Sequence, residues 1–469
     1  MNIQSPIFSS YTSPFSWRYG SKEMRWIFSE ENKYKLWRKI WVALAEEQHK
    51  AGLVSKSELE DLKINEMNIS IGRIQEIEKE TKHDVVAAIK EFSEKAKIGG
   101  GKIHLGATSM DIVDNADMMR MKEALFIIEQ KIKKLLLQFI SLIEEYATFP
   151  CMGYTHLQPA EPTTVGYRLA YYAQDILEVL NQLRFVKNEI KGKGMKGAVG
   201  TAASHKALLK GKNTSVENLE RGVMGRLGLE AVLISSQVYP RQFDYMVLSV
   251  LASLASSLSK FAGDLRILQS PNIGEWSEPF SNKQVGSSAM PFKKNPINSE
   301  NICSLGRYVV KLPEIALENA ALSYLERTLD DSANKRIIIP EGFLAVDQML
   351  MTAEKIISGL VINKKRIILN LQLYAPFAAT EAILMESVKN GANRQEAHEV
   401  LREISMKAWT IIQEGKQNPM NQLLKKNKAL LKHLSEKKIV TLLDVSHHIG
   451  DAPERAIKLT KNIRYALNG

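Results

Sequence analysis

Apolar residues recur at alternating intervals of three and four along two long stretches of the chain. In the first stretch the apolar positions are Met121, Leu125, Ile128, Ile132, Leu135, Phe139, Leu142 and Tyr146. In the second they are Val247, Leu251, Leu254, Leu258, Phe261, Leu265 and Leu268. A spacing that averages 3.5 residues is typical of helices in bundles and coiled coils. The pattern therefore predicts two long α-helices that pack in a bundle.

Proline is absent from two long stretches of the chain. None occurs between Phe15 and Phe149, or between Thr163 and Tyr239. Because proline removes a hydrogen bond from a helix interior, such stretches favour uninterrupted helices. Alternating strand patterns are scarce. We therefore predict an all-α fold with a long central helical bundle.

Three regions follow from these patterns. We predict an N-terminal helical domain over residues 1–110, a central long-helix bundle domain over 111–363, and a C-terminal domain of shorter helices over 364–469. The second long helix carries additional apolar residues, namely Met246, Val250, Ala252, Ala255 and Ala262. A helix that is apolar on several faces must be buried on several faces, so we expect a bundle shared between several copies of the chain.

Composition places the chain among globular proteins, with 45% hydrophobic and 25% charged residues. The apolar runs are short, so no membrane partner is expected. The N-terminus lacks the basic and apolar regions of a signal peptide. Cys151 and Cys303 are too few and too far apart for a disulfide framework, and we expect a cytoplasmic protein.

The net charge of +11 is partly concentrated in residues 425–438, KKNKALLKHLSEKK. A solvated helix face is the favoured interpretation. Nucleic-acid binding stays open, although the segment lacks interleaved aromatic residues and matches no nucleic-acid-reading motif. A preference for anionic small molecules is a third interpretation, because positive clefts attract anions.

No motif indicates a metal or a cofactor. The chain has neither a Cys-x-x-Cys nor a His-Glu-x-x-His sequence, so a dedicated zinc site is not expected. Residues 192–197, GKGMKG, match the dinucleotide fingerprint formally, but a charged helical segment precedes them where that fingerprint needs a strand. A GxxxxGK[ST] phosphate loop is also absent.

Residues 284–296, QVGSSAMPFKKNP, carry more chemistry than a connection between helices needs. Gly286 and the paired serines suit a tight, mobile backbone whose free amides can hold an anion. Lys293 adds a positive charge and Asn295 adds a side-chain donor. Taken alone, these residues are equally compatible with an ordered loop.

The string GSSAMPFKKNP resembles the GSSxMPxKxNP signature of the fumarase/aspartase superfamily. Residues 153–159, GYTHLQP, and residues 197–204, GAVGTAAS, resemble two further segments of that superfamily. The resemblance implies a helical fold and a β-elimination that breaks a C–N or C–O bond and releases fumarate.

Three more strings resemble the branch of the superfamily that acts on succinylamino nucleotides. They are KHDV at 82–85, ERTLDDSANKR at 326–336 and the pair Arg18-Tyr19. The second is not expected in fumarase or argininosuccinate lyase. Together the matches extend from about residue 10 to residue 400, and the last seventy residues carry none.

The resemblance implies a role for each matching residue. Ser287 is the expected base, His156 the general acid, and Glu300 the carboxylate that orients His156; Lys293 and the loop amides would stabilise the serine alkoxide. The expected substrate-binding residues are Arg18, Tyr19, Lys82, His83, Asp84, His104, Thr108, Ser109, Gln237, Asn295, Arg327, Ser332 and Arg336.

The resemblance also implies a homotetramer whose active sites are shared between subunits and whose substrate is an anionic nucleotide. Two positions depart from the pattern. Asn301 and Lys82 stand where relatives often carry Arg, and a lysine offers a point charge in place of a bidentate fork. We expect these departures to affect affinity more than catalysis.

Three alternatives stay open at this point. The chain could be another fumarate-releasing lyase of the superfamily, such as argininosuccinate lyase. It could be a non-catalytic structural protein on this scaffold, as lens crystallins are, although Ser287, His156, Lys293 and Glu300 are all intact. It could also bind nucleic acid, in which case its affinity would fall steeply with salt.

Overall fold

A computed structural model of the chain describes residues 10–281, 283–444 and 448–468. Helices dominate these residues, which confirms the predicted all-α class. The helices are α1 (Lys22–Ile27), α2 (Glu30–Lys50), α3 (Lys56–Ile64), α4 (Ile71–Thr81), α5 (Asp84–Lys95), α6 (Ser109–Glu145), α7 (Val165–Glu189), α8 (Ala203–Leu208), α9 (Val216–Leu227), α10 (Gln242–Gln269), α11 (Ile297–Val309), α12 (Leu312–Ala321), α13 (Asp331–Ser358), α14 (Lys364–Lys389), α15 (Arg394–Gln413), α16 (Met420–Lys425), α17 (Lys428–Leu431), α18 (Glu436–Leu442) and α19 (Ala452–Asn468).

Both helices predicted from the 3.5-residue spacing are present. The first is α6, 37 residues long, and of its eight predicted apolar positions all except Leu142 are buried. The second is α10, 28 residues long, and all seven of its positions are buried. Val250, Ala255 and Ala262, on the other faces of α10, are also buried within the single chain. Their apolar character therefore does not by itself require a partner subunit.

Two helices continue through a proline. Pro340 lies inside α13 and Pro376 lies inside α14. Proline costs an interior helix one hydrogen bond, but tertiary burial can compensate, and Pro376 is itself buried. The segment after residue 363 consequently begins with helices of 26 and 20 residues, longer than the sequence pattern predicted.

Four short strands form two antiparallel pairs in the part of the chain that the structure describes. β1 (Pro150–Thr155) pairs with β2 (Gln158–Thr164), and β3 (Trp276–Ser277) pairs with β4 (Val361–Ile362). The β1–β2 hairpin was not predicted, because its three prolines obscure the alternation of a strand. A two-stranded sheet tolerates them, since both of its strands are edges.

The chain divides into two compact units. Unit 1 comprises residues 1–132, 179–258 and 304–351, and unit 2 comprises residues 133–178, 259–303 and 352–469. The predicted division into three domains stays a prediction.

Asp111 organises part of unit 1. Its fully buried carboxylate pairs with Lys193 and accepts hydrogen bonds from the backbone amides of Thr108 at 2.9 Å and Gly197 at 3.1 Å. The carboxylate thereby attaches the glycine-rich segment 197–204 to the first turn of α6. A buried charge is stable only when it is paired in this way.

The basic segment 425–438 lies in unit 2 over a hydrophobic core. Leu430, Leu434 and Ile439 are buried in that core together with residues of α14 and α15. Five of the segment's six lysines are exposed and the sixth, Lys425, is partly buried. The arrangement is that of a solvated face on an amphipathic helical segment, as predicted. Cys151 and Cys303 are both free thiols.

By length and composition alone, α10 and α14 could cross a bilayer. About half of the most apolar window of each helix is buried inside the protein, 50% for α10 and 44% for α14. Such burial is typical of core helices in globular proteins.

Candidate functional site

A cavity of about 630 Å³ in unit 1 gathers most of the predicted substrate-binding residues. Those that line it are Lys82, His83, Asp84, Thr108, Ser109, Gln237, Arg327, Ser332 and Arg336. They come from four separate stretches of the chain, so the cavity depends on the fold and not on one motif.

Three helices begin at the wall of this cavity. Asp84, Ser109 and Asp331 are the first residues of α5, α6 and α13, and all three line it. The first backbone amides of a helix have no partner inside the helix, and its dipole places a partial positive charge there. Three helix N-termini around one cavity therefore favour an anionic ligand, phosphate above all.

Buried and partly buried ion pairs form the side of the cavity where α6 meets α13. Asp117 accepts hydrogen bonds from Lys335, at 2.8 Å, and from Arg120. Burial opposes ionisation of Asp117, but the charges of Lys335 and Arg120 outweigh it and hold the pKa of that carboxyl well below its usual range. Arg241 is likewise held by Asp331, at 2.7 Å. These cations are neutralised within the protein.

Arg327 and Arg336 are less fully neutralised. Nη1 of Arg327 donates to the neutral side chain of Gln237 at 2.9 Å, while its Nε has no hydrogen-bond partner among the described residues. Nη2 of Arg336 lies 3.1 Å from Oδ2 of Asp84, and the Arg336 side chain is two-thirds exposed. Both guanidinium groups can therefore bind an incoming anion in the bidentate manner that arginine favours.

His83 is oriented by the helix that follows it. It is the N-cap of α5, and its Nδ1 accepts the backbone N–H of Val86 at 3.4 Å. Because Nδ1 accepts, the proton of the neutral ring lies on Nε2. In this arrangement His83 is a hydrogen-bond donor at the cavity wall.

Three predicted residues of unit 1 do not line the cavity. Arg18 and Tyr19 follow a short 3₁₀ turn, and the guanidinium carbon of Arg18 lies 5.8 Å from the centre of the Tyr19 ring. Nδ1 of His104 accepts a hydrogen bond from Trp41 at 3.1 Å, and burial lowers the pKa of His104 to about 4. His104 is therefore neutral at pH 7.

Sequence reasoning missed four cationic residues that line the cavity, namely Lys33, Arg120, Arg241 and Lys335. Lys335 lies within the string ERTLDDSANKR and could have been included on that basis. Lys33 lies on α2, Arg120 lies on α6 and Arg241 immediately precedes α10, all at positions that no local motif marks.

The signature loop lies in unit 2. Oγ of Ser287 accepts hydrogen bonds from the backbone amides of Ala289 at 3.3 Å and Met290 at 3.1 Å. Two amide donors stabilise negative charge on that oxygen, so they favour the deprotonated serine that a base requires.

The loop closes on itself at Gly286. Nδ2 of Asn295 donates to the carbonyl oxygen of Gly286 at 2.8 Å. A Cβ atom on Gly286 would lie 1.9 Å from the carbonyl oxygen of Lys293, so any side chain there would force the two backbone segments apart. Asn295, one of the predicted substrate contacts, therefore also supports the loop conformation.

His156 occupies the turn of the β1–β2 hairpin in unit 2. It and Leu157 both adopt positive φ, 52° and 59°, and the His156 side chain is exposed. Glu300 lies in the first turn of α11, with Arg266 at 4.0 Å. Within the described residues of one chain no hydrogen bond joins His156 to Glu300.

Comparison with known proteins identifies the family. The family model described as Lyase matches residues 20–310, and the one described as Adenylosuccinate lyase C-terminus matches residues 376–457. The adenylosuccinate lyase of Saccharomyces cerevisiae is 37% identical over 469 residues, covering 98% of this chain and 96% of that protein. The chain belongs to the adenylosuccinate lyase family.

A second relative supports the same assignment. The adenylosuccinate lyase of Archaeoglobus fulgidus is 36% identical over 454 residues, covering 97% of this chain and 99% of that protein. The C-terminal match covers residues 376–457 and so includes most of the last seventy residues, which carried no motif. The chain is a lyase, as predicted, and the nucleic-acid and structural alternatives have no comparable support.

Solved structures agree on the fold. A fumarate lyase from Mesorhizobium sp. BNC1 superposes with a TM-score of 0.84 at 22% identity, covering 96% of this chain and 99% of that one. A 3-carboxy-cis,cis-muconate lactonizing enzyme from Pseudomonas putida gives the same TM-score and identity. At this identity the likeness concerns the helical fold alone.

Proposed function

We propose that the chain catalyses the elimination of fumarate from adenylosuccinate, giving AMP, and from succinyl-aminoimidazole carboxamide ribotide, giving the carboxamide ribotide. The observation that carries this proposal is the hydroxyl oxygen of Ser287, held by two backbone amides within the superfamily's signature loop. Membership of the adenylosuccinate lyase family supports the choice of substrate.

The reaction requires a base and an acid. Ser287, as its alkoxide, removes a proton from the succinyl carbon next to a carboxylate, and His156 donates a proton to the nitrogen as the C–N bond breaks. The electron pair of the broken C–H bond forms the double bond of fumarate. Lys293 and the loop amides stabilise the serine alkoxide and the carboxylate that gains charge in the transition state.

The cavity of unit 1 suits the nucleotide part of this substrate. Three helix N-termini, Arg327, Arg336 and Lys82 provide donors and positive charge for a phosphate. The hydroxyls of Thr108, Ser109 and Ser332 add uncharged donors and acceptors. In the proposed enzyme the nucleotide binds there.

The test is an assay of fumarate release. The purified protein is mixed with adenylosuccinate, the change in absorbance of the purine is followed, and AMP and fumarate are identified by chromatography. Argininosuccinate and malate, offered at the same concentration, are the control substrates. Faster release of fumarate from argininosuccinate than from adenylosuccinate would contradict the proposed substrate.

We also propose that the enzyme is a cytoplasmic homotetramer whose sites combine residues of several subunits. The support is the superfamily resemblance, together with the exposure of His156 in the turn of the β1–β2 hairpin and the partial exposure of Ser287 in the signature loop. Sedimentation equilibrium or light scattering measures the oligomeric state directly.

A further inference from the structure

A fully buried carboxylate, that of Glu275, lies immediately before β3 in unit 2. It accepts hydrogen bonds from three side chains on three different elements. The donors are Nη1 of Arg168 on α7 at 3.0 Å, Nδ2 of Asn370 on α14 at 3.0 Å, and the hydroxyl of Tyr154 on β1 at 3.3 Å. Neither the family resemblance nor the sequence pattern drew attention to this residue.

Two of these donors attach the carboxylate to the hairpin that carries His156. Tyr154 stands on β1, two residues before His156. Nη2 of Arg168 also donates to the main-chain carbonyl of Met152, on the same strand. Strand β1 is therefore tied to the Glu275–Arg168 pair through one side chain and one backbone group.

The hairpin needs such an anchor. It is a two-stranded sheet, which is only marginally stable on its own. Its pairing is irregular between Met152 and Tyr154, and its turn holds two non-glycine residues at positive φ, which stores strain. Contacts outside the hairpin must therefore hold the turn in place.

We infer that Glu275 is a positioning residue, which fixes the hairpin through Tyr154 and Arg168 and thereby places the imidazole of His156. The inference rests on the proposed function for its catalytic consequence, but the anchoring itself does not depend on any substrate. Since a general acid must lie within hydrogen-bonding distance of the atom it protonates, a small displacement of the turn lowers the rate of elimination.

Removing the carboxylate is a poor first test. Glu275→Gln leaves Arg168 buried beside a group that cannot neutralise it, and breaking a buried ion pair can unfold a protein. Tyr154→Phe is milder, because the ring remains and only the hydroxyl is lost. Tyr172→Phe is the matched control: its hydroxyl donates to Asp264 at 2.8 Å in the same unit and makes no hydrogen bond to the hairpin.

The first measurement is hydrogen exchange of the hairpin, residues 150–164, followed by mass spectrometry. We expect exchange in the hairpin to be about tenfold faster in Tyr154→Phe than in the wild type, and unchanged in Tyr172→Phe. Unchanged exchange in Tyr154→Phe overturns the inference, whether or not the protein releases fumarate.

The second measurement is a double-mutant cycle on fumarate release. We expect Tyr154→Phe to lower kcat by about tenfold with KM within about twofold, and to lower the residual kcat of His156→Ala by less than twofold. If the two effects multiply, Tyr154 does not act through His156 and the inference fails. A wild-type protein that releases no fumarate refutes the proposed function instead, and the exchange measurement then decides the anchoring.

Discussion

The hydroxyl of Ser287 and the amides of Ala289 and Met290 show how a weak base is prepared. An isolated serine is almost fully protonated at neutral pH, so its use as a base depends on donors that prefer the charged oxygen. Both amides belong to the same short loop, and they reach the oxygen because the chain bends at Ser288 and Ala289. Local backbone geometry therefore supplies part of the chemistry.

Replacing Ser287 with alanine tests that role. Because the base acts only in the transition state, we expect Ser287→Ala to lower kcat by about 10²–10⁴-fold while substrate binding changes little. Steady-state assays of fumarate release give kcat, and equilibrium titration with adenylosuccinate gives the dissociation constant of the inactive variant. A variant that keeps near-wild-type turnover removes Ser287 as the base.

His104 makes the stability of the protein depend on pH. Burial lowers its pKa from about 6.5 to about 4, so below pH 6.5 the unfolded chain binds a proton that the folded chain does not. Stability is therefore complete above pH 6.5 and falls as the pH drops towards 4. Between pH 7 and pH 5 we expect His104 to account for a loss of about 2 kcal/mol in the free energy of unfolding.

Denaturant unfolding at pH 7 and pH 5, at one protein concentration, measures this loss. His104→Asn is a suitable variant, because asparagine tolerates the positive φ of 66° and can still accept the hydrogen bond from Trp41. Between pH 7 and pH 5, the free energy of unfolding of this variant should fall by less than that of the wild type. Some loss should remain, since burial also lowers the pKa of His205.

At the scale of the elements, the signature loop has little packing of its own. Ser287, Met290, Lys293 and most of their neighbours are exposed or partly exposed, and the loop is held by few hydrogen bonds outside itself. Segments with few buried contacts open readily, and a bound substrate can order them.

Limited trypsin digestion tests whether the loop closes over the substrate. We expect cleavage after Lys293 and Lys294 to slow by about tenfold when adenylosuccinate is bound to Ser287→Ala, because an ordered loop resists proteolysis. Cleavage after Lys416, in an exposed turn following α15, serves as the internal control and should not change. Equal rates at Lys293 with and without ligand would exclude a lid.

The helices and the hairpin differ in how much the sequence revealed. The 3.5-residue spacing predicted α6 and α10, because each buries a regular apolar stripe along most of its length. The hairpin was missed, because its strands hold prolines and depend on distant partners such as Glu275. Pairing over 120 residues of sequence leaves no local pattern.

The residues of the candidate site also differ in how far the sequence predicts them. The signature string identified Ser287, Lys293 and Asn295, since a loop with a fixed chemistry keeps its residues adjacent in sequence. The cavity of unit 1 is lined by Lys33 of α2 and by Arg241, which immediately precedes α10, two positions that only the folded chain brings together. Motifs therefore mark residues that are adjacent in sequence, and they miss cavity residues that only the fold brings together.

At the scale of the whole molecule, the question is whether one chain forms a complete active site or several chains share it. Three of the five additional apolar residues of α10, namely Val250, Ala255 and Ala262, are buried within the chain. The case for a tetramer therefore rests on the superfamily resemblance and on the occurrence of the functional residues in both units. Mixed assemblies provide a direct test.

We expect two inactive variants, His156→Ala and Ser287→Ala, to regain activity when they are unfolded and refolded together. In a mixed tetramer some sites take the histidine from one variant and the serine from the other, and those sites are complete. With random mixing in equal amounts, about a quarter of the sites should be complete under this proposal. Each variant refolded alone is the control.

The regained activity is measured as fumarate release per site, with mixed tetramers separated by an affinity tag on one variant. No activity in demonstrated mixed tetramers, at any ratio of the two variants, would refute the shared site. Activity in proportion to the fraction of mixed subunits supports it.

The spacing of the residues around strand β3 restricts insertions and deletions in this part of the chain. Glu275 on one side of it holds the hairpin, and Glu278 on the other accepts the backbone amide of Asn298 at 3.2 Å and also that of Ser299, at the start of α11. Side chains along a strand alternate between its two faces, so one inserted or deleted residue turns one of these carboxylates away from its partners. A point substitution at Ser277 leaves the hydrogen bonds of both carboxylates in place. An insertion or deletion between residues 275 and 278 instead detaches either the hairpin from Glu275 or the start of α11 from Glu278. Insertions of tags or labels therefore belong elsewhere, for example in the exposed turn around Gly415.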